Sequence, residues 1–382
     1  MMKATNRCRY FRQAAVLVAA LISLCASSPA QDSLMQYTVT KLVSNTVAIS
    51  AVATDPNLQN GWGLARASVG YWWVADNASG LVTTYGVTST GTAVSIGSTV
   101  VTIPPGNPAV GPKGSPSGVV YNGNSLDFLL APNASAQFLF CTWDGTISGF
   151  NSSVNATHAV IKVNQTGNSL FGGMAVAQVD EGGASATYLY VADFKQRRIE
   201  VFDASFNPVT LPWGRFQAAS DRADYSPTNI WNIGGNLYVT YALLDENYNS
   251  VAGPGLGRVL VFSPSGRFLQ ELQPGPWFNA PWGLAMAPSD FGLFSHNILV
   301  GQLGSGEIVA FDAVAGKFEG KLLDSNNNPI TIDGLSALSF GNNGSAGPAT
   351  GLFFTAGPNA FTNGLFGVIF PKAGDNLEGN DR

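Results

Sequence analysis

The chain has 382 residues, with 45% hydrophobic side chains, 44 glycines and only 11% charged residues. Such a composition excludes a disordered chain and a helix-rich one, and suits many short strands joined by tight turns. The formal net charge of −5 argues against nucleic acid and anionic lipid as partners.

In chain order, the first predicted element is a secretory signal peptide over residues 1–30. Lys3, Arg7, Arg9 and Arg12 precede an apolar run from Ala14 to Ala26, and the small residues Ser27-Ser28-Pro29-Ala30 follow, with cleavage expected after Ala30. The apolar run is shorter than the roughly 20 residues that span a bilayer. The expected destination is therefore secreted or periplasmic, without a retained transmembrane helix. A lipoprotein anchor at Cys25 needs small residues just before it, and Leu24 stands there. Removing this segment takes Cys8, Cys25 and the four basic residues, which leaves Cys141 without a disulfide partner and a net charge of 15 − 24 = −9.

The rest divides into a single domain over residues 31–371 and a polar tail over 372–382. Self-comparison shows a repeat. Trp62-Gly63-Leu64-Ala65, Ser117-Gly118-Val119-Val120, Gly172-Gly173-Met174-Ala175, Thr228-Asn229-Ile230-Trp231, Trp282-Gly283-Leu284-Ala285 and Asp333-Gly334-Leu335-Ser336 are alike. Positions 63, 118, 173, 229, 283 and 334 are separated by 55, 55, 56, 54 and 51 residues. A second strand follows in each unit, as in Tyr71 to Asp76 and Tyr188 to Asp193, and then a third, as in Leu81 to Tyr85 and Ile199 to Phe202. Inner strands read as continuous apolar runs and outer ones alternate, as in Arg198-Ile199-Glu200-Val201. That contrast predicts an all-β, six-bladed propeller, whose inner strands are covered on both faces by neighbouring blades. Fourth strands are expected at Val94 to Ile103, His158 to Val163, Phe268 to Leu272 and Phe318 to Leu323. The sixth unit stops after three strands, so Tyr37 to Val43 is expected to complete it and close the ring. The repeated Gly or Asn suits a positive φ or a close backbone approach at the axis. No helix follows any of these glycines, which excludes a dinucleotide loop.

Several stretches carry a resemblance. They are Tyr190-Val191-Ala192-Asp193-Phe194 with Ile199 to Asp203, Gly235-Asn236-Leu237-Tyr238-Val239-Thr240-Tyr241-Ala242, and Val251 to Gly257. Asn279-Ala280-Pro281-Trp282-Gly283-Leu284-Ala285, Ile332-Asp333-Gly334-Leu335 and Phe354-Thr355-Ala356-Gly357-Pro358 complete the set. On these residues the chain resembles a family of secreted bacterial proteins related to NHL-type six-bladed propellers. The resemblance implies the fold and carries no catalytic assignment. The chain departs from that pattern at Trp143, Gln302, Ser305, Ser336, Phe361 and Asn363, so any polar site formed there in relatives is altered here.

The chemistry-bearing residues are sparse. His158 and His296 fall at non-equivalent places in different units, and Cys141 lies in an apolar strand without a basic neighbour. Propeller ligands bind at the axis, near the loops that enter and leave the inner strands. Ligand-binding candidates there are Asn60, Trp143, Asn229, Asp245, Glu246, Asn279 and Asp333. Asn60, Asn229, Asn279 and Asp333 are also the candidate metal ligands, since several converging oxygens suit calcium. The competing reading is that such Asp and Asn side chains satisfy turn backbone groups. Trp62 and Trp282 occupy equivalent repeat positions and read as packing, whereas Trp143 is specific to its unit and reads as a stacking surface. These features favour a monomeric binding or structural module for an extracellular or envelope ligand: a glycan, a peptide or a small molecule. The alternative is a calcium-assisted, lactonase-like hydrolase or lyase with an axial site.

Overall fold

The computed structural model describes residues 36–181, 184–212, 215–217 and 224–372. The signal-peptide reading and the tail from residue 373 lie outside them. No α-helix occurs among the described residues, and none of their helices is long and apolar enough to cross a membrane.

Six sheets form the blades, antiparallel except where Ala53–Thr54 lies parallel to Tyr37–Ser44 at the edge of the sixth. Their innermost strands are Gly61–Arg66, Pro116–Tyr121, Phe171–Glu181, Tyr225–Ile233, Pro281–Met286 and Leu335–Phe340, and each packs beside the next, with the sixth beside the first. Blades 2, 4 and 5 have four strands each; blade 3 has three among the described residues. In blade 1 the expected outer strand is split into Val94–Ile96 and Val101–Thr102, which pair with different stretches of Leu81–Val87.

Each interface between neighbouring blades holds its own apolar cluster, because the strands are covered on both faces. Phe138, Phe140 and Phe150 meet Val82 and Val101 between blades 1 and 2. Leu64, Trp72 and Tyr85 meet Phe353 and Phe366 between blades 1 and 6. The expected ring closure is present: Tyr37–Ser44 lies antiparallel to Leu365–Pro371, with Tyr37 opposite Pro371 and Ser44 opposite Leu365. Tyr37, Leu42 and Val43 are buried there, each contributing about 1.5–3 kcal/mol of apolar burial.

One repeat position is corrected by the strand register. Gly61 faces Asp76 and Leu64 faces Val74, while in blade 6 Leu335 faces Ala356 and Leu338 faces Phe354. Ala337, not Gly334, is thus the counterpart of Gly63, and it follows Gly283 by 54 residues rather than 51. Gly334 instead matches Asn60 and Ala280. These three residues precede their inner strands with φ of 67, 54 and 50°. At Gly63 the need for glycine is close approach: a Cβ there would lie 2.8 Å from Val119 N and 2.9 Å from Ser117 O.

Candidate functional site

The inner strands all begin at one end of the axis. Their antiparallel pairing brings the ends of the second strands, Asp76, Thr142, Asp193, Leu243, Gln302 and Ala356, to that same mouth. In blades 1, 2, 3, 5 and 6 the residue after the second strand is then tied to the residue before the inner strand. Trp143 N–H donates to Ser115 O at 2.9 Å, Phe194 to Leu170 O at 3.1 Å, and Leu303 to Ala280 O at 3.0 Å. Phe194 and Leu303 are thus the positional counterparts of Trp143, and neither is a tryptophan.

These residues surround an axial cavity of about 510 Å³. Its walls include Trp62, Trp143, Phe194, Tyr248, Trp282 and Phe361, with Asn60, Thr228, Asn247, Asn249 and Ser250 as polar groups, and among the described residues no charged side chain or histidine lines it. Trp62 organises the floor. Its ring centroid lies 4.9 Å from Trp143 at 71°, 4.5 Å from Trp282 at 73°, and 5.9 Å from Phe361 at 29°. Trp62 and Trp282 are buried, Trp143 is half-buried, and Tyr248 and Phe361 are exposed at the rim. The two buried tryptophans, read from the sequence as repeat packing rather than a sugar platform, pack on each other and also line the cavity.

Two observations mark this mouth as more than packing. Asn60 Oδ1, Trp62 Nε1 and Trp143 Nε1 are buried without a hydrogen-bond partner, a cost of about 1–3 kcal/mol each. Backbone strain also collects here: Asn60, Tyr248, Ala280 and Phe361 all have positive φ, and Asn359 and Ala360 extend the run beside Phe361. Non-glycine residues pay roughly 1–2 kcal/mol each for that conformation, and such strain concentrates at functional sites.

Of the sequence-derived candidates, Asn60 and Trp143 line the cavity. The loop carrying Asp245 and Glu246 contributes through Asn247, Tyr248 and Asn249 instead. Asp245 accepts the backbone N–H groups of Asn249 and Asn247, both at 2.8 Å, and the Asn249 backbone contact leads in holding its carboxyl below the ordinary range. Glu246 is exposed on the same loop. Asn229 lies at the channel's waist, donating to Trp282 O at 3.0 Å and accepting from Ile230 N–H at 2.8 Å. Asn279 accepts from Gly253 N–H at 2.7 Å, while its own N–H donates to Gln302 Oε1 at 2.8 Å. Asp333 is exposed and accepts from Asn359 N–H at 2.7 Å. Of the four residues considered for calcium, Asn229, Asn279 and Asp333 have their oxygens on separate backbone N–H groups, while Asn60 Oδ1 has no partner and Asn60 alone of the four lines the cavity. No group of three or more His, Cys, Asp or Glu side chains converges among the described residues.

Phe194, Tyr248 and Phe361 escaped the sequence reading as cavity residues. Trp143 and Phe361, both marked as departures from the resembled pattern, meet on Trp62. Cys141 lies between blades 2 and 3, where burial pushes its thiol up to about 12.

No family model matches the chain. The uncharacterized protein R648 of Acanthamoeba polyphaga mimivirus is 32% identical over 346 residues, covering 87% of this chain and 80% of that protein. The uncharacterized protein L690 of the same virus is 31% identical over 345 residues, covering 87% and 85%. Among solved structures, a streptogramin B lyase matches with a TM-score of 0.50 at 11% identity, over 88% of this chain and 98% of that one. A glucose dehydrogenase matches with a TM-score of 0.50 at 12% identity, over 87% and 98%. At such identities the likeness is one of fold alone.

Proposed function

This chain belongs to the family of the mimivirus proteins R648 and L690, and from that premise we propose that it is a binding module whose axial cavity takes a neutral saccharide. The observation that carries this reading is the lining by the described residues: aromatic side chains from several blades, amides and hydroxyls between them, and no charged side chain. Aromatic faces suit the apolar faces of sugar rings, and amides suit their hydroxyls. The volume of about 510 Å³ falls within the range of small-molecule sites. Asn60 Oδ1 is an acceptor, and the Trp62 and Trp143 Nε1 groups are donors. All three are covered, so a ligand reaches them only with a shift of the aromatic rim. Among the described residues no carboxylate, histidine or lysine lines the cavity to serve as a general acid or base, which favours binding over turnover.

Export through residues 1–30 is a separate part of the proposal, resting on the basic, apolar and small-residue order of that segment. Mass analysis of the N-terminus after expression in a secreting host tests it: a chain beginning at Gln31 supports export, and a retained Met1 opposes it.

The binding reading is tested by calorimetric titration with neutral oligosaccharides, acidic oligosaccharides and short peptides. Saturable binding of at least one neutral saccharide is expected. Binding of peptides only, or of no saccharide in a broad panel, overturns the reading.

A further inference from the structure

The opposite mouth of the channel has a different chemistry. The inner strands end there, and two adjoining cavities of about 200 and 510 Å³ share Arg66, Trp231, Asn232 and Ser339 as walls. Trp231, from blade 4, reaches across to the apolar cluster between blades 1 and 6. A further cavity of about 10 Å³, lined by Gly63, Gly118, Asn229, Trp231 and Trp282 among others, lies between the two mouths, with space for about one water.

Arg66 is the one charged residue lining either lower cavity among the described residues. Its Nε donates to Phe340 O at 2.6 Å and its Nη2 to Gly341 O at 2.9 Å, with a long Nη1 contact to Ala67 O at 3.4 Å. The guanidinium also lies 5.7 Å from the Trp72 ring centre. Half-buried, it has no carboxylate partner among the described residues. A guanidinium has five N–H donors and stays charged, so donors remain for an incoming acceptor. A desolvated cation paired only with carbonyls is costly, and an anion offsets that cost. Burial accordingly lowers the Arg66 pKa.

We infer that this mouth is a second ligand site, which takes a small molecule bearing a carboxylate or phosphate, with its anionic oxygens on Arg66 and its body against Trp231. The site is independent of the saccharide cavity and goes beyond that reading.

The test is titration of the full chain, at constant ionic strength, with glucuronate, inorganic phosphate and glucose, read by the indole N–H resonance of Trp231. Arg66→Gln also removes contacts to blade 6, so Ser339→Asp serves as the second variant, keeping the guanidinium and placing a carboxylate on the shared wall. At least one of the two anions is expected to bind and shift Trp231, glucose is expected not to, and both variants should bind that anion about tenfold more weakly or worse. Binding of glucuronate alone supports a carboxylate ligand, and binding of phosphate alone a phosphate ligand. Failure of both anions to bind, or unchanged affinity in Ser339→Asp, overturns the inference. The saccharide reading is scored separately, at Trp143.

Discussion

The indole of Trp62 meets that of Trp282 edge to face, with ring centroids 4.5 Å apart, although blade 6 lies between their blades. The contact depends on small residues at the same repeat position elsewhere. Blade 6 has Ser336, whose hydroxyl donates to Gly61 O at 2.8 Å, and blade 3 has Gly172, where a Cβ would lie 3.3 Å from the tip of Trp282. Two indoles therefore fill the floor that a third would overfill.

Trp143 is the rim residue that the binding account needs most. Replacing it by Ala removes one stacking face and the edge contact to Trp62, worth about 0.5–1.5 kcal/mol beyond area burial. Calorimetry should show neutral-saccharide affinity reduced about tenfold or more, while thermal unfolding shifts by only a few degrees. Unchanged affinity would place the ligand elsewhere.

Gly63→Ala tests the crowding at the axis. Its neighbours are the backbone atoms Val119 N and Ser117 O, which cannot turn aside as a side chain can. A loss of about 1–3 kcal/mol is expected in denaturant unfolding. Gly123→Ala is the control, because the nearest atom to its Cβ is a Tyr121 ring carbon at 3.6 Å. That variant should unfold like the parent.

Asp76 should make stability fall with rising pH. It is fully buried, and burial, with the Asp55 charge adding to it, holds its pKa well above 3.8 against the lowering effect of hydrogen bonding from Thr83. Between 3.8 and the native value the folded chain holds a proton that the unfolded chain has lost, so stability declines as pH rises through that window. Above it the decline is complete. Asp76→Asn removes this linkage, and its melting temperature should exceed the parent's by a margin that widens from pH 4 to pH 9. A margin that narrows toward high pH would refute the assignment.

Cys141 should be inert in the folded protein. With its thiol pushed up to about 12 by burial, almost no thiolate is present at pH 8, and reagents have no access. A chromogenic disulfide reagent should label this residue only after denaturant is added. Labelling at the unfolded rate in native buffer would contradict the packing between blades 2 and 3.

The propeller was legible because its repeat expresses a physical constraint: inner strands covered on both faces must be apolar, and backbones crowding the axis need Gly, Asn or Ala at the place of Gly63. The sixth unit misled because Gly334 satisfies a different constraint, the positive φ that Asn60 and Ala280 also adopt, and its spacing then looked short. The site was legible only in part. Trp143 stood out as an aromatic residue at a turn, and Asn60 as a polar one at a strand entry. Phe361 reaches Trp62 only through the positive-φ run of Asn359, Ala360 and Phe361, which no residue type there announces. Asn279 and Asp333 have the chemistry of ligands, but neighbouring backbone N–H groups already occupy their oxygens, which only the tertiary fold decides.

The most direct test of the central claim is the set of indole N–H resonances of the labelled protein, recorded as the best-binding neutral oligosaccharide is added. Binding in the axial cavity predicts shifts at Trp62, Trp143 and Trp282. Trp73, stacked on Phe138 between blades 1 and 2, and Trp277, stacked on Phe318, should stay in place. Saturable binding that moves Trp231 or Trp277 and leaves Trp62 and Trp143 unmoved would contradict it.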